Sequence, residues 1–340
     1  MTGSATCSGG TDLHTEIHGD ATLGSLLQNG LGRRQPLVAA ATVSPGELSV
    51  ACLGAPLEAD FEIGSVSKGI TGLLYADASA RNALVPDSTL GDVLPLGDCP
   101  AAGVPLAAVS SHTSGLPRLP KSARPFRRSA AFLLHGTNPY GDALEELLAQ
   151  ARTVQLSARR PRYSNFGFEL LGHAVAAGAG MSYHSLVRER LAVPLGLTSI
   201  YMPATVEQLG PHAIIGKSRS GRPRQPWTGE ALAPAGGIRA SIGDMGRLVQ
   251  ALLDGSAPGL AALDPVANFA GPAVRIGAAW MTLRVKGRDI TWHNGATGGF
   301  RAWAGLDRQA GTGVVLLSAT AVTVDRLGFR LLRELTERAQ

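Results

Sequence analysis

The sequence predicts a mixed α/β (α+β) fold: one antiparallel sheet built from both termini, flanked by helices, with a mainly helical domain inserted between its halves. Three observations point there. Strand-like apolar runs occupy residues 37–53 and return at residues 273–317. Helical spacing of apolar residues dominates residues 130–200. Strands at both ends with helices between them close one sheet around an insertion. The expected units are a disordered tail over 1–20, a sheet domain over 21–85 and 230–340, and a helical insertion over 86–229. At 340 residues the chain is long enough for one large core or two interleaved ones.

Taken in order, the polar Gly/Ser/Thr-rich start gives the tail, and Ala21–Leu31 a short helix. Leu37–Val43 reads as a buried strand, Pro45-Gly46 as a turn, and Leu48–Leu53 as its hairpin partner. A helix follows from Ser65 to about Asn82. Gly69 and Gly72 inside it each cost roughly 1 kcal/mol against alanine, which suggests another backbone packed closely there. Pro86–Pro100 is a loop-rich connection, Val104–Val109 a short helix, and a basic, proline-containing loop runs to about Ser129. Helices are expected over Ala143–Ala151, Phe166–Ala177, Tyr183–Leu191 and Ser241–Leu253. Ala273–Val285, Ile290–His293, Ala302–Leu306 and Gly313–Leu317 read as strands of the same sheet, and Thr323–Arg338 as a closing amphipathic helix.

Composition narrows the function classes. Apolar residues make up 44% and charged residues 17%, as in ordinary globular proteins. Lysine and arginine exceed the acids, 31 − 26 = +5. The excess gathers in Arg118–Arg128, Arg159–Arg162 and Lys217–Arg224, which read as solvated loops more than as a trap for an anion. No nucleic-acid-binding motif accompanies them. Three cysteines, Cys7, Cys52 and Cys99, with no Cys-x-x-Cys pair, argue against a disulfide framework or zinc site and fit a reducing compartment. His14 and His18 have a spacing metals use, but no third ligand is in sight. Met1–Gly30 lacks a basic segment followed by an apolar one, and no apolar run approaches membrane-spanning length. The expectations are a cytoplasmic protein with no cofactor, no metal, and no nucleic-acid or membrane partner.

Chemistry-bearing residues gather first at Ser65-Val66-Ser67-Lys68. A serine hydroxyl is a poor nucleophile until something takes its proton, and a partly desolvated amine one helical turn along can help. A helix N-terminus adds N–H groups suited to a developing oxyanion. Tyr163-Ser164-Asn165 stands at a loop-to-helix junction. A phenol beside an ammonium can act as general base, although the triplet also fits a structural cap. His293-Asn294-Gly295-Ala296-Thr297-Gly298-Gly299-Phe300 follows the expected strand Asp289–Trp292. Its glycines admit a ligand to the backbone, and an edge strand can align an acyl group and supply one oxyanion donor. A glycine-rich hairpin with a surface histidine fits the same letters. Gly-x-Ser-x-Gly and His-Glu-x-x-His strings are absent.

In this order the three strings resemble those of the serine β-lactamase and penicillin-binding-protein superfamily. The nearest branch is class C-like: class C β-lactamases, DD-peptidases, D-aminopeptidases and family VIII esterases. Ser111–Pro117, Tyr163–Gly172, Val193–Leu197, Ala235–Ile238 with Asp244, Gly277–Trp280 and Gly298–Arg301 extend the likeness to roughly residues 35–335. The resemblance implies a β-lactamase/transpeptidase-like fold. It implies Ser65 as the acylated nucleophile, Lys68 as proton relay, and Tyr163 as base in acylation and acid toward the leaving group. Asn165 would hold the substrate amide or the Lys68 side chain, and the N–H groups of Ser65 and Ala296 would form the oxyanion hole. Whether lysine or tyrosine is the acylation base stays open.

His293-Asn294-Gly295 departs from the Lys-Thr-Gly usual in class C β-lactamases. A histidine is partly charged near neutrality, so binding of a substrate carboxylate is expected to be weaker, and to vary between about pH 5 and 8. The implied activity is hydrolysis of a small-molecule ester, amide or β-lactam through an acyl-serine, esterase- or peptidase-like with weak β-lactamase activity. Acyl transfer or cyclisation by the same intermediate, and a penicillin-binding sensor without turnover, remain as alternatives. No oligomeric state is read from the sequence.

Overall fold

The apolar runs at the two ends of the chain pair with each other. In the computed structural model, which describes residues 16–31, 35–119, 136–138 and 143–339, a nine-stranded antiparallel sheet runs from the N-terminal strands to the C-terminal ones. Its order is β1 (Ile17–Gly19), β3 (Glu47–Leu53), β2 (Val38–Ser44), β11 (Thr312–Ser318), β10 (Arg301–Asp307), β9 (Arg288–Ala296), β8 (Met281–Val285), β7 (Val274–Ile276) and β6 (Ala267–Ala270). The two halves meet where β2 pairs with β11, Val38 opposite Ser318 and Val43 opposite Gly313.

Side chains of a strand point alternately to the two faces. Val38 and Ala40 of β2, with Val314 and Leu316 of β11, pack beneath helix α1 (Ala21–Leu31) and the C-terminal helix Asp325–Arg338. Ala39, Ala41, Val43, Val315 and Leu317 face the other way, toward the helix Ile242–Asp254, helix α2 (Val66–Ala80) and the helical region beyond. Burial on both faces is why these strands read as unbroken apolar runs. Between Leu90 and Leu195 the described residues form helices and connections, with no strand of either sheet.

Helix α2 is enclosed almost all round, polar residues included. Thr71 Oγ1 donates to the Pro234 carbonyl (2.7 Å) and pairs with the Tyr183 hydroxyl (2.7 Å), and Ser67 Oγ accepts the Ile238 N–H (3.3 Å). The close neighbour expected from Gly69 and Gly72 is the Ala278–Trp280 turn. A Cβ on Gly72 would lie 2.1 Å from the Ala278 oxygen, and one on Gly69 2.8 Å from the Trp280 ring.

Several short elements were not anticipated. β1 lies in the stretch expected to be a tail, held by pairing of Ile17–Gly19 with Ala51–Leu53. Residues 1–15 of that tail, with Cys7 and His14, and the basic loop from Lys121 to Arg128 lie outside the described residues. The single strand expected over Ala273–Val285 is split into β7 and β8, because Ala279 turns left-handed (φ 68°) and Trp280 leaves the sheet for α2. The helix expected over Tyr183–Leu191 is regular only to Val187 and widens to a π turn at Arg188–Ala192. β4 (Asp60–Glu62) and β5 (Arg239–Ser241) make a separate two-stranded sheet. Arg239, with no exposed surface, joins them through Asp60 Oδ1, the Asp60 carbonyl (3.0 Å) and Glu62 Oε1 (3.2 Å). Burial raises the Glu62 pKa, and the guanidinium opposes that shift. Among the described residues no helix is long and apolar enough to cross a membrane.

Gly72→Ala gains helix propensity of about 1 kcal/mol but drives a methyl into the Ala278 carbonyl. A net loss of about 1–3 kcal/mol is expected, measured by urea unfolding. Equal or higher stability would show that the two backbones are not in close approach.

Candidate active site

Ser65 opens α2 in a helical conformation (φ −65°, ψ −7°), and its hydroxyl makes no capping bond. The first turn closes on main-chain carbonyls instead: Val66, Ser67 and Lys68 donate to Ile63, Gly64 and Ser65 at 3.2, 2.9 and 3.0 Å. The hydroxyl is left to receive the Lys68 ammonium, Nζ to Oγ 3.1 Å. Lys68 is fully buried, with a second bond to the Ala235 carbonyl. Burial pulls its pKa from 10.5 to about 7; Glu169 opposes the drop and Arg118 adds to it. An amine that sheds its proton near neutrality can accept one from a neighbouring hydroxyl.

Two glycines bring this turn against β9. Gly64 is left-handed (φ 52°), and a Cβ there would lie 2.6 Å from the Ala296 nitrogen. One on Gly295 would lie 2.0 Å from the Ile63 oxygen. β9 is longer than expected and carries His293, Asn294, Gly295 and Ala296 within it. β8 ends opposite Trp292, so His293–Ala296 is paired with β10 on one side and with no strand on the other. The Thr297 N–H donates to Phe300 (3.2 Å). With the two-residue alternation of an antiparallel ladder, the Ala296 N–H therefore faces the open edge, toward Ser65. Two main-chain donors near one hydroxyl suit an oxyanion.

Tyr163 and Asn165 come from the start of the helix Asn165–Gly178, capped by Ser164 Oγ accepting the Gly167 N–H (2.8 Å). The Lys68 ammonium lies 5.1 Å from the Tyr163 ring centre, and Arg118 lies 5.9 Å from it on the solvent side. Asn165 is buried and lines the same cavity, ≈ 250 Å³, as Ser65, Tyr163, Asn294, Gly295 and Ala296. The expected set thus converges, with one exception in role. Lys68 and His293 are both buried below the surface and absent from the cavity lining, but His293, unlike Lys68, makes no hydrogen bond with the Ser65 hydroxyl among the described residues.

His293 differs from expectation in charge too. Its Nδ1–H donates to the Asn294 carbonyl (2.7 Å), leaving the Nε2 lone pair without a hydrogen-bond partner among the described residues. Burial, then the Lys68 charge, lower its pKa to about 3. It is neutral throughout pH 5–8 and brings no charge to a substrate carboxylate.

The cavity also has walls that sequence reasoning did not assign to it: Arg118, Trp227, Arg301, Thr323 and Asp325. Arg301 donates to the Thr297 and Phe300 carbonyls (2.9 and 2.7 Å), and Asn294 Nδ2 donates to Asp325 Oδ1 (2.6 Å). Arg301 stood in the string Gly298–Arg301, but nothing in the letters marked its side chain as pocket-lining. Among the described residues no cluster of His, Cys, Asp and Glu is arranged to hold a metal.

The beta-lactamase family model matches residues 32–337. A human beta-lactamase-like protein is 27% identical over 241 residues, 68% of this chain and 46% of its own length. A beta-lactamase-like protein of Arthroderma benhamiae is 26% identical over 250 residues, 64% of this chain and 41% of its own. The chain therefore spans less than half the length of these curated relatives. A class C beta-lactamase from Rhodobacter sphaeroides superposes with a TM-score of 0.72 at 20% identity, covering 94% of this chain and 97% of that one. A beta-lactamase/D-alanine carboxypeptidase from Pseudomonas syringae does so with a TM-score of 0.77 at 18% identity, covering 94% and 99%. The fold is the β-lactamase/transpeptidase-like one.

Site-resolved NMR of labelled lysine is expected to show Lys68 losing its proton as pH rises through about 7, ammonium below and amine above. The His293 ring should stay neutral from pH 5 to 8. A Lys68 midpoint above pH 9 would contradict the desolvation described.

Proposed function

The chain belongs to the beta-lactamase family, and on that premise we propose that it is a serine hydrolase forming an acyl-enzyme on Ser65 from a small ester or amide. One observation carries the proposal: the 3.1 Å contact between the Ser65 hydroxyl and the fully buried Lys68 amine. In acylation the Ser65 oxygen bonds to the substrate carbonyl carbon while its proton passes to Lys68 or to Tyr163. The carbonyl oxygen becomes an oxyanion held by the Ser65 and Ala296 N–H groups. Its collapse expels the alcohol or amine, which takes a proton from Tyr163; where Lys68 received the serine proton, it passes that proton on to Tyr163. Water then adds to the acyl carbon by the same path and releases a carboxylic acid, restoring the serine.

The substrate class follows from the cavity. At ≈ 250 Å³ it suits a small acyl group. A substrate carboxylate would meet Arg118 or Arg301 at the rim, because His293 is neutral. The carboxypeptidase named among the solved relatives supports trying D-amino-acid amides beside esters and a β-lactam.

Intact mass after mixing with a p-nitrophenyl ester should reveal an acyl adduct in the native chain and none in Ser65→Ala. Lys68→Ala and Tyr163→Phe should each lower kcat by at least about 10³-fold. Where Lys68 is the group that takes the serine proton, the native rate should rise with pH through about 7, as Lys68 becomes the free amine. Near-native turnover by Ser65→Ala would end the proposal.

A further inference from the structure

His112 lies just after the short helix Leu106–Ser110, almost wholly buried and with φ 57°, a left-handed backbone uncommon outside glycine. Two of its acceptors reach the same strand of chain. Its carbonyl accepts the Arg162 N–H (2.8 Å), and its ring Nδ1 accepts the Ser164 N–H (3.1 Å). Arg162 and Ser164 are the residues on either side of Tyr163. The Ser164 hydroxyl donates to Pro117 (2.6 Å) and accepts from Gly167, while its main-chain N–H goes to the imidazole. The ring also lies on the Tyr163 ring, centres 4.4 Å apart and planes at 34°, with Phe168 (4.7 Å) and Phe269 (5.9 Å) beside it.

Accepting at Nδ1 puts the ring proton on Nε2, so the imidazole that makes this bond is the neutral one. Its surroundings favour that form: burial first, then the charge of Lys68, then His293. A residue that only filled space would need neither the left-handed backbone nor an acceptor aimed at one particular amide.

Building on the acyl-serine proposal above, we propose that His112 is a positioning residue for Tyr163: it brackets the main chain on both sides of the tyrosine and sets the tilt of its ring beside Lys68. Small errors in placing a reacting group are costly; a displacement of about 1 Å can cost on the order of 10²-fold in rate.

The test is a double-mutant cycle on ester hydrolysis, with thermal melts on every variant. His112→Ala removes ring and acceptor. His112→Asn tolerates the left-handed backbone and offers a side-chain oxygen near the place of Nδ1. His112→Ala is expected to lower kcat by about 10²-fold with KM changed less than about threefold, and His112→Asn to recover about tenfold of that. Combined with Tyr163→Phe, His112→Ala should cost less than about twofold more, because the group it positions is gone. Losses that multiply in the combined variant, or native kcat in His112→Ala, would overturn the proposal. If His112→Ala does not fold, the cycle is run with His112→Asn, judged by the same coupling. Independently of turnover, hydrogen exchange at the Ser164 amide should quicken in His112→Ala and stay slow in His112→Asn; unchanged exchange in His112→Ala counts against it. Failure of the acyl-serine mechanism would show separately, as turnover surviving Ser65→Ala.

Discussion

A lysine amine held out of water one turn below a serine is the constraint to which the rest of the molecule answers. Desolvating an ammonium costs several kcal/mol unless partners offset it. Here the Ala235 carbonyl, the Ser65 hydroxyl and the field of Glu169 do so in part, and the remainder appears as lowered proton affinity. To bury the amine, α2 must be wrapped on every side. The wrapping segment, Ala233–Ile238, lends carbonyls to Lys68 and Thr71, and its Ile238 carbonyl receives the Ile63 N–H (3.1 Å). One stretch of chain therefore fixes both the lysine and the turn that presents the serine. The next residue, Arg239, pins that stretch to Asp60 and Glu62.

Electrostatically the site is divided by depth. Lys68, His112 and His293 crowd below the cavity; burial first, and then the Lys68 charge, disfavours a proton on each imidazole. The two imidazoles stay neutral, and the interior holds at most one labile positive charge near pH 7. The permanent cations, Arg118 and Arg301, stand at the cavity wall, with Asp325 beside Asn294. A deep neutral floor beneath a charged rim lets the amine change protonation state while the rim keeps its attraction for an anionic group.

Much of this was legible because its signals are local or because burial imprints composition. Helix α1 has the expected bounds, Ala21–Leu31, and the central strands announced themselves as apolar runs because both faces of the sheet are covered. The three strings around Ser65, Tyr163 and His293 were recognisable as text, and the chain does bring Ser65 and Tyr163 to one cavity with the buried Lys68 beside both. What escaped depends on distance along the chain. β1, β4 and β5 are three residues long, too short for a periodicity, and exist only through partners tens or hundreds of positions away. The left-handed turn at Ala279 breaks an apolar run whose letters continue smoothly. The neutrality of His293 is set by burial and then by Lys68, neither visible in a histidine flanked by Trp292 and Asn294. Arg118 read as one more loop cation, yet it lies over the Tyr163 ring.

The pairing of β2 with β11 has a consequence for how the molecule is made. Val38 emerges from the ribosome long before its partner Ser318. Until then the hairpin β2–β3 has an uncovered edge, and no hydrophobic strand beside it. Contacts this distant along a chain slow folding, since the closure entropy is spent before the pairing rewards it. The nascent protein must carry an adhesive, half-built sheet until the segment between β2 and β11 has been made, which is the circumstance in which chaperones shield chains from one another.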